Sequence, residues 1–387
     1  FIYGMQIMAQ GLENAAGNRM KSLLEILTKN KFMGVLLGAA ITAVIQSSSA
    51  TTVMVVGFVN AGLMNLTQAM GVIMGANIGT TVTGWLVSSV EWAEFLSPSK
   101  LAPVAVIVGV IVMLTGKRRS TKDISSIIIG FGLLFIGITT MSEAVEPLRE
   151  YEGFVNMFVV LGKSPILGIL AGALVTAIIQ SSSASVGILQ SLAAAGLVPF
   201  SAAIYIIMGQ NIGTCVTAIL SGLGAKKNAK TAGRMHLLFN VIGTVIFSAV
   251  VIVYFELMNP QAGVGAITQT QISLVHTIFN IGTTVLLFPA SNLIIKLARK
   301  IGNVNEDEQD RSKVLLDERL LETPGIALQS TINEAIRMGD LVVETMETAR
   351  NILFTKDQKG IDRLKEDEDT VDKLCAGITD YAVKLST

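Results

Sequence analysis

Charge is what this sequence has least of, and its absence is concentrated. Only 15% of the 387 residues are charged. From Phe32 to Gly116 the charged residues are Glu91, Glu94 and Lys100; from Ser164 to Ala225 there are none; from Met235 to Ile295 there is only Glu256. A soluble fold of this length needs a charged outer surface, which such stretches do not supply. They read instead as membrane segments, which take about 20 apolar residues per crossing. Cysteine is scarce too: Cys215 and Cys375 lie in different parts of the chain, which argues against a disulfide or metal framework. Formal net charge is zero, so no nucleic-acid partner is expected. The chain opens on Phe1 rather than Met and shows no cleavable signal peptide, so a trimmed piece of a longer protein is expected.

What the sequence does have is a repeat. Gln46-Ser47-Ser48-Ser49-Ala50 returns as Gln180-Ser181-Ser182-Ser183-Ala184, 134 residues later. Met74-Gly75-Ala76-Asn77-Ile78-Gly79-Thr80-Thr81-Val82-Thr83 returns at the same offset as Met208-Gly209-Gln210-Asn211-Ile212-Gly213-Thr214-Cys215-Val216-Thr217. Two copies of one unit, each with a polar knot in an apolar segment, are the main organising feature.

Taken in order, Phe1–Leu12 reads as the end of a helix, and Glu13–Lys31 as an amphipathic helix at the membrane surface. Phe32–Ala61 holds two apolar arms around Gln46–Ala50, each too short to cross, which fits a re-entrant hairpin. Leu66–Val90 follows, with a break expected at Gly75–Gly79; Leu101–Thr115 and Ile124–Met141 cross next. In the second copy Pro165–Ala195 is the hairpin and Ser201–Ser221 the broken span; Met235–Phe255 and Ile272–Leu297 cross after it. Basic clusters at Arg19–Lys31, Lys117–Lys122, Lys226–Arg234 and Lys296–Lys300 belong in the cytoplasm, and the acidic loops Glu91–Glu94 and Glu143–Glu152 outside. That assignment opens the two hairpins to opposite sides, so the copies are inverted, an arrangement typical of secondary transporters. Glu306–Arg319 is a charged linker, and two helices are expected near 325–354 and 357–385. The fold class is therefore an all-α polytopic membrane protein with two inverted repeats, residues 1–134 and 135–302. Each repeat carries a re-entrant hairpin and a broken spanning helix. A cytoplasmic helical region, 303–387, follows.

A non-helical knot at membrane depth needs protein or a cavity around it. Uncharged oxygens at the hairpin tips suit a small hard cation such as Na⁺, and half-helix N-termini suit an oxyanion. With no Arg or Lys in these segments, bound cations would have to balance a dianion. Asn77 and Asn211 read as helix caps, ligands, or both. His236 and His276 each begin His-x-x-Phe-Asn, ending at Asn240 and Asn280; interhelical hydrogen bonding and ion coupling are both open to them. Glu368 and Asp372, four apart in the tail, read as a solvated face with a metal site as the alternative. An intramembrane serine hydrolase needs a base, and neither hairpin contains His, Lys, Asp or Glu.

The paired QSSS hairpins, each followed by MGxNIGTxxT, resemble the type II sodium–phosphate cotransporter family over about residues 1–300. The HxxFN segments also resemble that family. The resemblance implies a cytoplasmic-membrane symporter of inorganic phosphate with Na⁺, working by alternating access, and not an enzyme. It nominates Ser47, Ser48, Ser49, Ser181, Ser182 and Ser183 for phosphate, and Gln46, Gln180, Asn77, Thr80, Asn211 and Thr214 for Na⁺. Cys215 stands where the first copy has Thr81. The tail resembles a PhoU-type helical domain, which leaves a membrane-tethered phosphate sensor as the alternative function. Expected partners are phosphate, sodium ions and the lipid bilayer, with a homodimer left open.

Overall fold

The computed structural model describes residues 1–16, 30–60, 62–92, 98–223, 225–255, 263, 265–302, 314, 316, 318, 321, 324–355 and 358–386. Residues 17–29 of the expected surface helix Glu13–Lys31, residues 93–97 and most of the charged linker lie outside them.

The described chain is helical throughout, with one isolated bridge between Pro199 and Ala266. The membrane part runs α1 (Ile2–Ala16), α2 (Lys31–Ile45), α3 (Ser48–Asn60), α4 (Leu66–Trp92), α5 (Pro98–Thr115), α6 (Arg119–Val145), α7 (Glu152–Lys163), α8 (Pro165–Ile179), α9 (Ser182–Ala194), α10 (Phe200–Ser221), α11 (Lys227–Val253), α12 (Gln269–Leu287) and α13 (Ser291–Ile301). The tail is α14 (Pro324–Thr355) and α15 (Gln358–Ser386). Among the described residues, five helices, α4, α6, α10, α11 and α12, are long and apolar enough to cross a bilayer. Of these α4 and α10 lie at the centre, 78% and 72% buried, against 33% for α6 and α11. On α8, Ile166, Leu170, Leu174 and Ile178 recur every fourth residue and are at least 58% exposed, an apolar face of the kind that meets lipid. The chain is an all-α polytopic membrane protein.

Each QSSS divides its apolar segment into two short helices, α2–α3 and α8–α9. The expected breaks in the spans do not form. Helices α4 and α10 run unbroken through Gly75–Gly79 and Gly209–Gly213. The reason is packing. A Cβ on Gly75 would overlap the Val35 carbonyl, and one on Gly79 the Ala39 carbonyl, both on α2. In the second copy Gly209 and Gly213 face the Ile169 and Ala173 carbonyls of α8 in the same way. The glycines are notches that let two backbones touch, as small residues do between membrane helices, and unbroken α-helices keep their backbone groups satisfied in lipid. Asn77 and Asn211 are therefore mid-helix and cap nothing.

Two further differences concern boundaries. Ile272–Leu297 is two helices, because Pro289 cannot continue α12 beyond Leu287. A helix not foreseen, α7, precedes the second hairpin and meets α8 at 113°. Lys31, at the start of α2, donates to the Phe288 carbonyl at 2.7 Å and to Ser291 Oγ at 2.5 Å. It ties the first hairpin to the end of α12.

The tail pair matches its expected boundaries and packs on the membrane part. Ala327 and Tyr381 are buried in one cluster with Met64, Leu66, Ile294 and Ala298. Beside them the Lys226 amide donates to Asn60 Oδ1 at 2.9 Å, at the end of α3. Burial lowers the Lys226 side chain to about 8, and buried Glu334, held by Arg337 at 2.7 Å, acts against that. Glu368 and Asp372 are exposed, and no group of three potential metal ligands exists among the described residues.

Candidate functional site

Each hairpin turns at a glutamine. Gln46 sits at φ 58°, ψ 25° and Gln180 at φ 57°, ψ 23°, the positive-φ non-glycine residues of the described chain. This left-handed conformation costs about 1–2 kcal/mol without glycine, and such strain gathers at functional sites. The next serine caps the second arm. Ser47 Oγ accepts from the Ala50 amide at 3.1 Å, and Ser181 Oγ from the Ala184 amide at 3.2 Å. Helices α3 and α9 therefore start at the two tips, with their first amides free of helical partners.

The tips meet. Ser48 Oγ and Ser182 Oγ, equivalent residues of the two copies, are 3.3 Å apart. Thr83 of α4 donates to Gln46 Oε1 at 2.8 Å and lies 3.1 Å from Ser183 Oγ of the second tip. Reciprocally, Thr217 of α10 donates to Ser49 Oγ of the first tip at 3.3 Å. Thr83 and Thr217 are equivalent, as are Ser49 and Ser183. An exchange in which i meets j′ and j meets i′, with Ser48 meeting its own equivalent, is the contact pattern of a two-fold axis. Ser49 also donates to the Gln180 carbonyl at 3.4 Å.

Of the nominated residues, Ser48, Ser49, Ser182 and Ser183 come together at this junction, and Ser47 and Ser181 flank it as caps. Gln46 is buried, donating to the Ala43 carbonyl and accepting from Thr83. The Gln180 side chain is exposed and so does not mirror it. Thr80 and Thr214 donate back to the carbonyls of Ala76 and Gln210 at 3.0 and 2.9 Å, and Asn211 to that of Ile207 at 2.9 Å. These residues are buried on α4 and α10, bonded within their own helices, and make no hydrogen bond to the serines among the described residues. Asn77 Oδ1 lies 3.3 Å from His236 Nε2, the interhelical bond expected of that histidine. Asn240 donates to Cys215 Sγ at 3.3 Å, so the thiol in place of Thr81 serves as an acceptor.

The copies differ in one respect that concerns cations. In the first, Thr42 donates to Thr51 Oγ1 at 2.9 Å and closes the neck of the hairpin. The equivalent atoms Thr176 Oγ1 and Ser185 Oγ are buried without partners, as is Oε1 of Gln210, whose amide donates to the Ser185 carbonyl at 3.0 Å. Along α11 and α12 the side-chain oxygens of Asn240, Asn280, Thr283 and Thr284 and both His276 ring nitrogens are likewise buried and unpartnered. Buried polar atoms are rarely left so, and oxygens of this kind fit a hard cation or water.

A sequence profile for the Na⁺/Pi-cotransporter family matches residues 1–143 and 150–276. The chain belongs to the Na⁺/Pi-cotransporter family. Among family relatives, it is 27% identical to the candidate inorganic phosphate export protein YjbB of Escherichia coli (strain K12) over 95% of this chain and 66% of that protein. It is 29% identical to the uncharacterized protein YqeW of Bacillus subtilis over 77% of this chain and 93% of that one. Sodium-dependent phosphate transport protein 2A of Ovis aries is 30% identical over 24% of this chain and 15% of its own length. The chain thus spans just under two thirds of YjbB. No solved structure matches it.

Sequence reasoning about this family member missed Thr83 and Thr217. Both close the repeated MGxNIGTxxT block, and their identity at one offset was the available signal. It also missed Gln190, whose buried amide donates to Gly84 O, Gln269 O and Ser273 Oγ at 2.9–3.2 Å, joining α9 to α4 and α12. Thr83→Val removes both Thr83 bonds and strands buried Gln46 Oε1. We expect a loss of about 1–3 kcal/mol in thermal unfolding of the detergent-solubilised protein, restored by Thr83→Ser.

Proposed function

We propose that this chain is a Na⁺-coupled symporter of inorganic phosphate in the cytoplasmic membrane. The observation that carries the reading is the junction itself: two helix N-termini and four serine hydroxyls converge, with no charged side chain between Phe32 and Asn60 or between Pro165 and Ala194. Free amides and hydroxyls donate to phosphate oxygens. A dianion held without Arg or Lys is electrostatically incomplete until cations bind beside it, which makes cation binding and anion binding favour each other. The buried oxygens of Thr176, Ser185 and Gln210, together with the nominated Gln46, Asn77, Thr80, Asn211 and Thr214, are the Na⁺ side of the site in this reading. The two-fold contact pattern and the basic-loop distribution support copies inverted about an axis in the membrane plane, which supplies alternating access, with the tail in the cytoplasm.

The names of relatives support phosphate as the cargo and leave its direction to experiment. In proteoliposomes, radiolabelled phosphate should follow an imposed sodium gradient in either direction and stop when K⁺ replaces Na⁺. Flux indifferent to sodium would overturn the coupling. The packing of α14–α15 against the end of the first hairpin favours a second role, a phosphate sensor that signals through a PhoU-like tail; phosphate binding in detergent without flux in liposomes would favour it over transport.

A further inference from the structure

The elbow between α7 and α8 forms one wall of a cleft that shares no residue with the serine junction. Only Ser164 separates the two helices at their 113° bend. The cleft holds about 700 Å³, within the range of small-ligand sites. Val159 and Lys163 line the elbow side, Ser201 and Tyr205 the start of α10, and Ile252 and Phe255 the end of α11. Gly162 keeps the elbow close to α10, since a Cβ there would come within 2.5 Å of Ser201 Oγ.

Three observations select the occupant. First, the cleft opens beside an exposed apolar face of the kind that meets lipid: Val160 beside it is 50% exposed and Ile166, just past the elbow, 70%. Second, most of its wall is hydrocarbon, which a free dianion would have to desolvate against. Third, Lys163 has no hydrogen-bond or ion-pair partner among the described residues. It stands at the elbow where α7 gives way to α8, with Phe255 lining the same cleft and buried Tyr205 forming its inner wall. A cation at the mouth of an apolar slot is complementary to an amphiphile with a phosphate head.

We propose that this cleft binds one anionic phospholipid, its phosphate on Lys163 and an acyl chain along Val159, Ile252 and Phe255. The lipid then braces the elbow on which the second hairpin is hung. This site is independent of the transport reading, and its test does not use transport.

Purified full-length protein would be exchanged into nanodiscs of mixed phosphatidylglycerol and phosphatidylcholine, and the retained lipid counted by native mass spectrometry. Wild type should favour phosphatidylglycerol by about fivefold, the size of one lysine acting on an anionic lipid. Lys163→Gln should abolish the preference and Lys163→Arg keep it. Ile252→Trp, which fills the slot from its other wall, should lower retention of both lipids. An unchanged preference in Lys163→Gln would overturn the proposal. So would displacement of the retained lipid by millimolar inorganic phosphate, which would identify a free-anion site instead.

Discussion

Replacing Ser48 and Ser182 together by alanine is expected to lower phosphate uptake by about a hundredfold or more while leaving the protein folded. Each serine is at most 5% exposed, and the two hydroxyls face each other across 3.3 Å. In the resting protein the pair forms one neutral hydrogen bond, so its loss costs the fold about 1 kcal/mol. With phosphate between the tips, each hydroxyl would donate to a charged oxygen, a bond of about 1.5–3 kcal/mol. Losing two such bonds removes about 3–6 kcal/mol of binding, which is where the hundredfold floor comes from. Single alanines should fall between. Ser47→Ala and Ser181→Ala act differently, through a lost helix cap of about 1 kcal/mol, and should show in thermal stability as well as in uptake. The measurement is initial-rate uptake in proteoliposomes at matched protein incorporation. A double variant within threefold of wild type would remove the junction from consideration as the phosphate site.

Much of this site could be read from the residues because its signals are local and duplicated. The serine tips, the interruption of each apolar segment at QSSS and the tail pair all follow from short motifs in apolar or amphipathic context. What could not be read depends on contacts between segments far apart in sequence. A glycine pair such as Gly75 and Gly79 has the same local propensity whether it breaks a helix or receives a neighbour's backbone. Only the presence of Val35 and Ala39 against it decides. Thr83 and Thr217 each reach a serine on the opposite copy's tip, Ser183 and Ser49, and that cross-copy contact leaves no mark in either residue's own hairpin. The exposed Gln180 breaks the symmetry that identical motifs imply, because equivalent sequence does not guarantee equivalent surroundings. Pro289 is a different case: a helix terminator in plain view, outweighed by the apolar run on either side of it.

Gly75→Val and Gly209→Val are each expected to abolish recovery of folded protein. A Cβ on Gly75 would overlap the Val35 carbonyl oxygen and come within 2.7 Å of the Ala39 amide nitrogen; one on Gly209 would overlap the Ile169 carbonyl oxygen and come within 2.9 Å of the Ala173 nitrogen. These are backbone atoms of α2 and α8, so no rotamer change relieves them. The whole first arm of the hairpin would have to move away from the central helix, carrying its tip out of the junction. Overpacking against side chains that yield costs about 1–3 kcal/mol. Against two rigid helices it should exceed that and consume most of a stability of about 5–15 kcal/mol. Gly265→Val is the control, since a Cβ there meets nothing within 4 Å. Fluorescence-detected size exclusion should show Gly265→Val at wild-type yield and the other two lost or aggregated. A Gly75→Val protein with a wild-type profile would mean that α2 and α4 are not in backbone contact, and the glycine would revert to its other reading, a break in the span beside the serine tip.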